Sequence, residues 1–222
     1  MIIKLRHINQ RLSYSTSVLL MAMILLLGCT TPEYMEEVEL QEFINKESNG
    51  LTRSIETGKV TMKMSYRPID FMVWQEIDNE IDSAKISQAF DNYDQYLYYV
   101  MQLSAGERDA LYGSAVNQSD FSDKLQTLSF RMPQYINLTT SENDTIPLAD
   151  AYYSRMFGMS ASSDVLLVFN KEQIKSDEWI SINTQEFGFK TGRRSFRFDL
   201  KDIKNTPKLI QLKPYHEIFE KN

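Results

Sequence analysis

The stretch DVLLVFN, residues 164–170, sets five consecutive apolar side chains, Val165 to Phe169, between an aspartate and an asparagine. A run this continuous is what a central strand covered on both faces presents. On one side lies GMSASSD (158–164) and on the other NKEQIKSDE (170–178), both turn-rich or polar. Further out, TLSFRM (127–132), QYINLTT (134–140), TIPLADAYYSR (145–155), WISINTQEFGF (179–189) and RSFRFDLKDI (194–203) read as strands, broken by SENDT and KTG. In the last of them Phe196, Phe198 and Leu200 alternate with Arg197 and Asp199, so one face is core. About five or six strands with short connections suggest an antiparallel sandwich.

Toward the N-terminus the pattern changes. From Lys59 to Pro68, Val60, Met62, Met64 and Tyr66 alternate with polar residues, the signature of a half-buried strand. FMVWQEI (71–77) fits either a strand or the first turn of a helix. Between Asp82 and Ser104, Ile86, Phe90, Tyr93, Leu97 and Val100 step by four, three, four and three, which predicts one face of a helix capped by Asp82 or Ser83. AGERDALYG (105–113) predicts a short second helix closed by Gly113. The expected fold class is α+β. Its C-terminal half is strand-rich, antiparallel and β-sandwich-like, and one long amphipathic helix over about residues 82–104 is inserted after an N-terminal strand.

The first thirty residues carry a different message. Residues 1–17 hold Lys4, Arg6 and Arg11 and no acid, and Val18 to Leu27 are uninterrupted apolar residues. Spanning a bilayer takes about 20 such residues, so this run is an export signal rather than a membrane helix. The residues Leu26-Leu27-Gly28-Cys29 resemble the lipobox of bacterial lipoproteins, with Leu27 bulkier than usual at its place. That resemblance implies diacylglycerol on the Cys29 thiol, cleavage between Gly28 and Cys29, and acylation of the new amino terminus. An ordinary secretory signal with a chance cysteine is the competing reading. A disulfide within the monomer is impossible, because Cys29 is the sole cysteine.

Removing residues 1–28 takes away three basic side chains and no acidic one, leaving 21 Lys+Arg against 30 Asp+Glu, a net charge of −9. Such a chain is repelled by nucleic acid and by an anionic bilayer surface, so attachment rests on the lipid. Residues 29–58, with Glu33, Glu36, Glu37, Glu39, Glu42 and Glu47, read as a lipid-anchored acidic tether containing a possible short helix over 33–46. Early acidic residues of this kind resemble the surface-export signal of some Gram-negative lipoproteins. Residues 59–222 are then a single α+β domain. The expected place is the outer membrane, lipid-anchored, facing the periplasm or the surface.

Catalytic signatures are sparse. His216 is the only histidine left after cleavage, and there is no G-x-S-x-G elbow. Zinc would need Cys and His ligands, of which the mature chain has one of each in unsuitable places, and neither DNYD nor SENDT has EF-hand spacing. No cofactor or metal is expected. GFKTGRRS (188–195) departs from a phosphate loop because its glycines are too close and Arg193 stands where Lys belongs. It reads as a hairpin turn whose rim, Arg193, Arg194 and Arg197, offers cations to an acidic partner or a glycan carboxylate. DSA (82–84) and DTI (144–146) resemble a short O-glycosylation motif, with Thr145 the better candidate and Ser83 the weaker. The tyrosines of YDQYLYYV (93–100) can serve as a sugar-stacking platform or as core, and helical spacing favours core. The function expected is a non-catalytic envelope lipoprotein that binds other envelope proteins or surface glycans, as a binding module or an accessory subunit. The alternatives are a component of a contractile, type VI-like secretion apparatus, and an envelope glycan or peptide hydrolase.

Overall fold

A computed structural model describes residues 31–78, 82–156, 159–175 and 178–219. The export signal and the lipobox, with Gly28 and Cys29, lie outside the described residues. In chain order the elements begin with β1 (Tyr34–Met35), α1 (Glu37–Asn45), β2 (Thr52–Thr57), β3 (Val60–Arg67), α2 (Ile69–Glu76) and α3 (Ser83–Tyr93). Then follow β4 (Tyr96–Ala105), β5 (Arg108–Asp109), α4 (Ala110–Ser114), α5 (Gln118–Gln126), β6 (Ile136–Thr140), β7 (Thr145–Pro147) and β8 (Asp150–Ser154). The chain ends with β9 (Ser163–Asn170), β10 (Trp179–Thr184), β11 (Arg194–Asp199), α6 (Leu200–Lys204), β12 (Lys208–Leu209) and α7 (Lys213–Phe219).

The larger sheet runs β2-β3-β4-β9-β8, with β5 added beside β4, and the smaller runs β11-β10-β6-β7. Every pairing in both is antiparallel. Alternation along the strands places Met62, Met64, Tyr99, Met101, Val165, Leu167 and Phe169 of the larger sheet in one core with Leu138, Ile180, Ile182, Phe196 and Phe198 of the smaller. Both sheets therefore bury one face against shared apolar contacts, and the class is α+β. A second core gathers helices: Leu40 and Ile44 of α1, Phe71 and Val73 of α2, Ile86 and Ala89 of α3, and Leu209, Leu212 and Tyr215 near the C-terminus.

Four expectations are corrected. The amphipathic helix ends at Tyr93 instead of continuing to 104, and β4 starts three residues later. Past Asp94 the stronger period is two, with Leu97, Tyr99, Met101 and Leu103 buried on one face. Aromatic Tyr96, Tyr98 and Tyr99 and the β-branched Val100 suit a pleated surface better than a helix. The helical spacing of Tyr93, Leu97 and Val100 arises where the two patterns overlap.

Second, the folded unit begins at Glu33, so residues 33–58 are not a free tether. Leu40 and Ile44, four apart on α1, are fully buried, and Glu37 and Glu39 fall in its first turn, where the helix dipole favours acids. Thr52–Thr57 is an edge strand bonded to β3. It follows that the larger sheet draws three of its strands, β2 to β4, from before residue 106, where one, at 59–68, was expected.

Third, TLSFRM is not a strand. It extends α5 through a π-helical turn at Thr127–Arg131, where the Thr127 hydroxyl donates to the Asp123 carbonyl (2.9 Å) and Leu128 and Met132, four apart, enter the core. Fourth, Gly113 lies inside α4 rather than closing it. A Cβ there would come within 2.8 Å of the Ala105 Cβ, so glycine lets α4 lie against β4. FMVWQEI belongs to α2.

Candidate binding site

The face of the larger sheet turned away from the core it shares with the smaller one is neither plain nor fully covered. Three cross-strand rows define it: Arg67, Tyr98, Val168 and Asp150; then Ser65, Val100, Leu166 and Tyr152; then Lys63, Gln102, Asp164 and Ser154. Helices roof part of it. The Thr52 hydroxyl donates to the Ile44 carbonyl at 2.7 Å, which seats the end of α1 on β2 and β3. From α2, the neighbours Phe71 and Met72 border two different clefts on this face.

The first cleft, about 510 Å³, is lined by tyrosines. Tyr93 comes from the last residue of α3, Tyr96 and Tyr98 from β4, and Tyr152 from β8, with Leu166 and Val168 of β9 beneath. Tyr98 forms the floor at 4% exposure, while Tyr152 stands up as a wall at 58%. The rings meet edge to face, Tyr93 with Tyr98 at 6.0 Å and Tyr96 with Tyr98 at 6.3 Å, the arrangement aromatic quadrupoles prefer. Burial, then the neighbouring Tyr93, Tyr96 and Tyr152 phenols, push the Tyr98 hydroxyl up to about 12. Burial and a hydrogen bond donated to Glu76 raise Tyr93 likewise to about 12. The Tyr152 hydroxyl donates to Asp150, which raises it too. Tyr93 and Tyr152 thus lie beside the Glu76 and Asp150 carboxylates. What the cleft offers is flat ring faces beside hydrogen-bonding groups.

The second cleft, about 430 Å³, is polar. Lys63 Nζ donates to Asn45 Oδ1 at 2.8 Å, and Arg67 reaches Gln41 Oε1 at 3.5 Å while its guanidinium stacks 4.4 Å above the Phe71 ring. Asp164, on the opposite wall, accepts from the Ser162 hydroxyl at 2.5 Å and from Gln102 Nε2 at 3.1 Å.

The arginine rim does not converge. Arg194 turns inward, where Nε and a terminal nitrogen donate to the Thr57 hydroxyl at 3.1 and 3.0 Å, tying β11 to the β2–β3 turn. Arg197, three residues on and so on the opposite face, stacks 4.3 Å over Trp179. Arg193 is exposed. The loop before them is organised by an acid, not a base: Glu186 accepts from the backbone N–H of Gly188 and Lys190, both at 2.8 Å, and of Gly192 at 2.6 Å. Thr145 is exposed as the first residue of β7, paired with Thr139, rather than in a loop. Ser83 is exposed at the first turn of α3, whose cap is Asp82.

Three pairs deserve comparison with hydrolytic chemistry. His216 Nε2 lies 3.1 Å from Asp70 Oδ2, but the same oxygen accepts the Leu209 N–H at 2.7 Å, and Phe90 and Tyr34 are the rings about the imidazole. No hydroxyl or thiol nucleophile is bonded to that histidine among the described residues. The Ser163 hydroxyl donates to buried Asp109, whose Oδ1 also caps α4 through the Leu111 N–H. Lys124 Nζ is held by Asp120 at 2.7 Å and donates to the Ser114 carbonyl, not its hydroxyl, at 3.0 Å. Each pair fastens one element to another. Among the described residues no group of three His, Cys, Asp or Glu is placed to hold a metal, and no helix is long and apolar enough to cross a membrane.

The tyrosine cleft was only half visible in sequence. YDQYLYYV supplies three of its rings, while Leu97 and Tyr99 are core through the two-residue period of β4 and not through the helical spacing expected. Tyr152, more than fifty residues away, arrives through the β8-β9-β4 register. No family model matches the sequence, and no curated protein matches it. Among solved structures it is similar to a protein of unknown function from Burkholderia pseudomallei, at 11% identity and a TM-score of 0.39, over 81% of this chain and 96% of that one.

Proposed function

We propose that this protein is a non-catalytic envelope lipoprotein, anchored to the outer membrane through lipid on Cys29, that binds a glycan in the tyrosine-lined cleft. One observation carries the binding half: four tyrosines from three separate elements, α3, β4 and β8, line a single cleft, and two of them, Tyr93 and Tyr152, stand beside carboxylates. Aromatic faces suit the C–H faces of a pyranose, and the Tyr152–Asp150 and Tyr93–Glu76 pairs supply partners for sugar hydroxyls. The strongly acidic chain argues against nucleic acid as the occupant. The lipobox and the preceding apolar run support the anchor.

Oligosaccharide-array screening followed by calorimetry tests the reading. Tyr152→Ala and Tyr96→Ala should each weaken the best ligand about tenfold or more, roughly 1.4 kcal/mol, with circular dichroism unchanged. Unaltered affinity in both variants, or no glycan retained at all, would remove it. A second reading, an accessory subunit of an envelope assembly such as a contractile secretion apparatus, is favoured by Phe130, which is 81% exposed on the π-helical turn. Large exposed aromatics are typical anchors at protein interfaces.

A further inference from the structure

We infer that the polar cleft beside the tyrosines is a carboxylate subsite centred on Arg67, so that the bound glycan carries a uronic acid. The inference rests on the glycan reading and adds the ligand's charge. Arg67 presents a planar fork of N–H donors, and carboxylate is a group such a fork matches bidentately. Yet its one hydrogen bond among the described residues is the long contact to the neutral Gln41 amide, and no carboxylate lies within ion-pair distance. Lys63, four residues along the same face of β3, is in the same position, bonded among the described residues to the Asn45 amide. The nearest acid in the cleft, Asp164, has its oxygens engaged by Ser162 and Gln102. Glu37 acts on Arg67 only at longer range, and burial lowers the guanidinium pKa, as expected of a cation short of partners.

A partly buried cation without a counter-ion is costly unless something external supplies the charge. The Phe71 ring lies 4.4 Å from the guanidinium carbon, and both residues line the cleft. Position then decides what the anion is attached to. Arg67 is the direct cross-strand partner of Tyr98, the floor of the tyrosine cleft, so the two Cα atoms are about 5 Å apart. One sugar stacked on the tyrosines can therefore be followed by one whose carboxylate reaches Arg67. The mature chain's net negative charge, with Asp150 and Asp164 on the walls, suits a single carboxylate rather than a polyanion.

Calorimetry on the mature protein with a trisaccharide that carries one galacturonate and two neutral sugars, and with its carboxyl-reduced neutral counterpart, tests this. The acidic sugar should bind about tenfold tighter. Arg67→Gln should erase that difference by bringing the acidic sugar down to the level of the neutral one, whereas Tyr152→Ala should weaken both. Equal binding of the two sugars by the unmodified protein overturns the carboxylate subsite and leaves glycan binding standing, and needs no variant to fold. An equal loss for both sugars in Arg67→Gln also overturns it. Failure to bind either sugar overturns the subsite; glycan binding as such falls only if the array retains nothing.

Discussion

At the scale of single residues, Glu186 and Arg67 illustrate opposite uses of charge. Arg67 is left without an acid. Glu186 sits at the centre of the loop before β11 and gathers backbone N–H groups. Burial alone would raise its carboxyl, but bonds from Gly192, Lys190, Gly188 and Phe189 together outweigh that and hold it below the ordinary 4.5. A depressed carboxyl adds stability above its unfolded value, and that stability is lost as pH falls through the folded one. Glu186→Gln should therefore cost about 1 kcal/mol in urea unfolding at pH 7, a figure kept low because the group is solvent-exposed. At pH 3 the variant and the parent should converge. A difference that persists undiminished at pH 3 would show that the loop does not depend on the ionised acid.

At the scale of elements, the junction between α3 and β4 shows what a linear reading can and cannot resolve. The strands 60–67, 136–140 and 179–184 and the Val165–Phe169 run were legible because one period dominates each. Residues 93–100 were not, since Leu97 satisfies a helical face and a pleated one at once. The site was harder still: Tyr98 is buried like core, yet its partners Tyr152 and Arg67 are set by strand register, which no short window contains. The start of α3 is a sharper matter. Asp82 Oδ1 accepts from the Ala84 N–H at 2.8 Å and the Lys85 N–H at 3.5 Å. Asp82→Ala should destabilise the protein by about 1 kcal/mol in chemical denaturation. Ser83→Ala, with no capping role, should be near neutral.

At the scale of the whole molecule, the proposal joins a membrane anchor to a binding face. Three acyl chains on Cys29 would give stable attachment, since each buried CH₂ contributes about 0.8 kcal/mol and one chain alone is marginal. Cys29→Ala should move the protein to the aqueous phase in detergent partitioning while leaving glycan affinity intact. Retention in the detergent phase would place the anchor elsewhere. The folded unit also has its own closure. β1 pairs in parallel with β12, the Lys208 N–H donates to the Glu33 carbonyl at 2.8 Å, and the next N–H, of Leu209, is held by buried Asp70. Mechanically this is a buckle. A pull entering at Glu33 against a hold beyond β12 loads this parallel pair along its length, in shear, so its bonds share the load instead of opening one at a time.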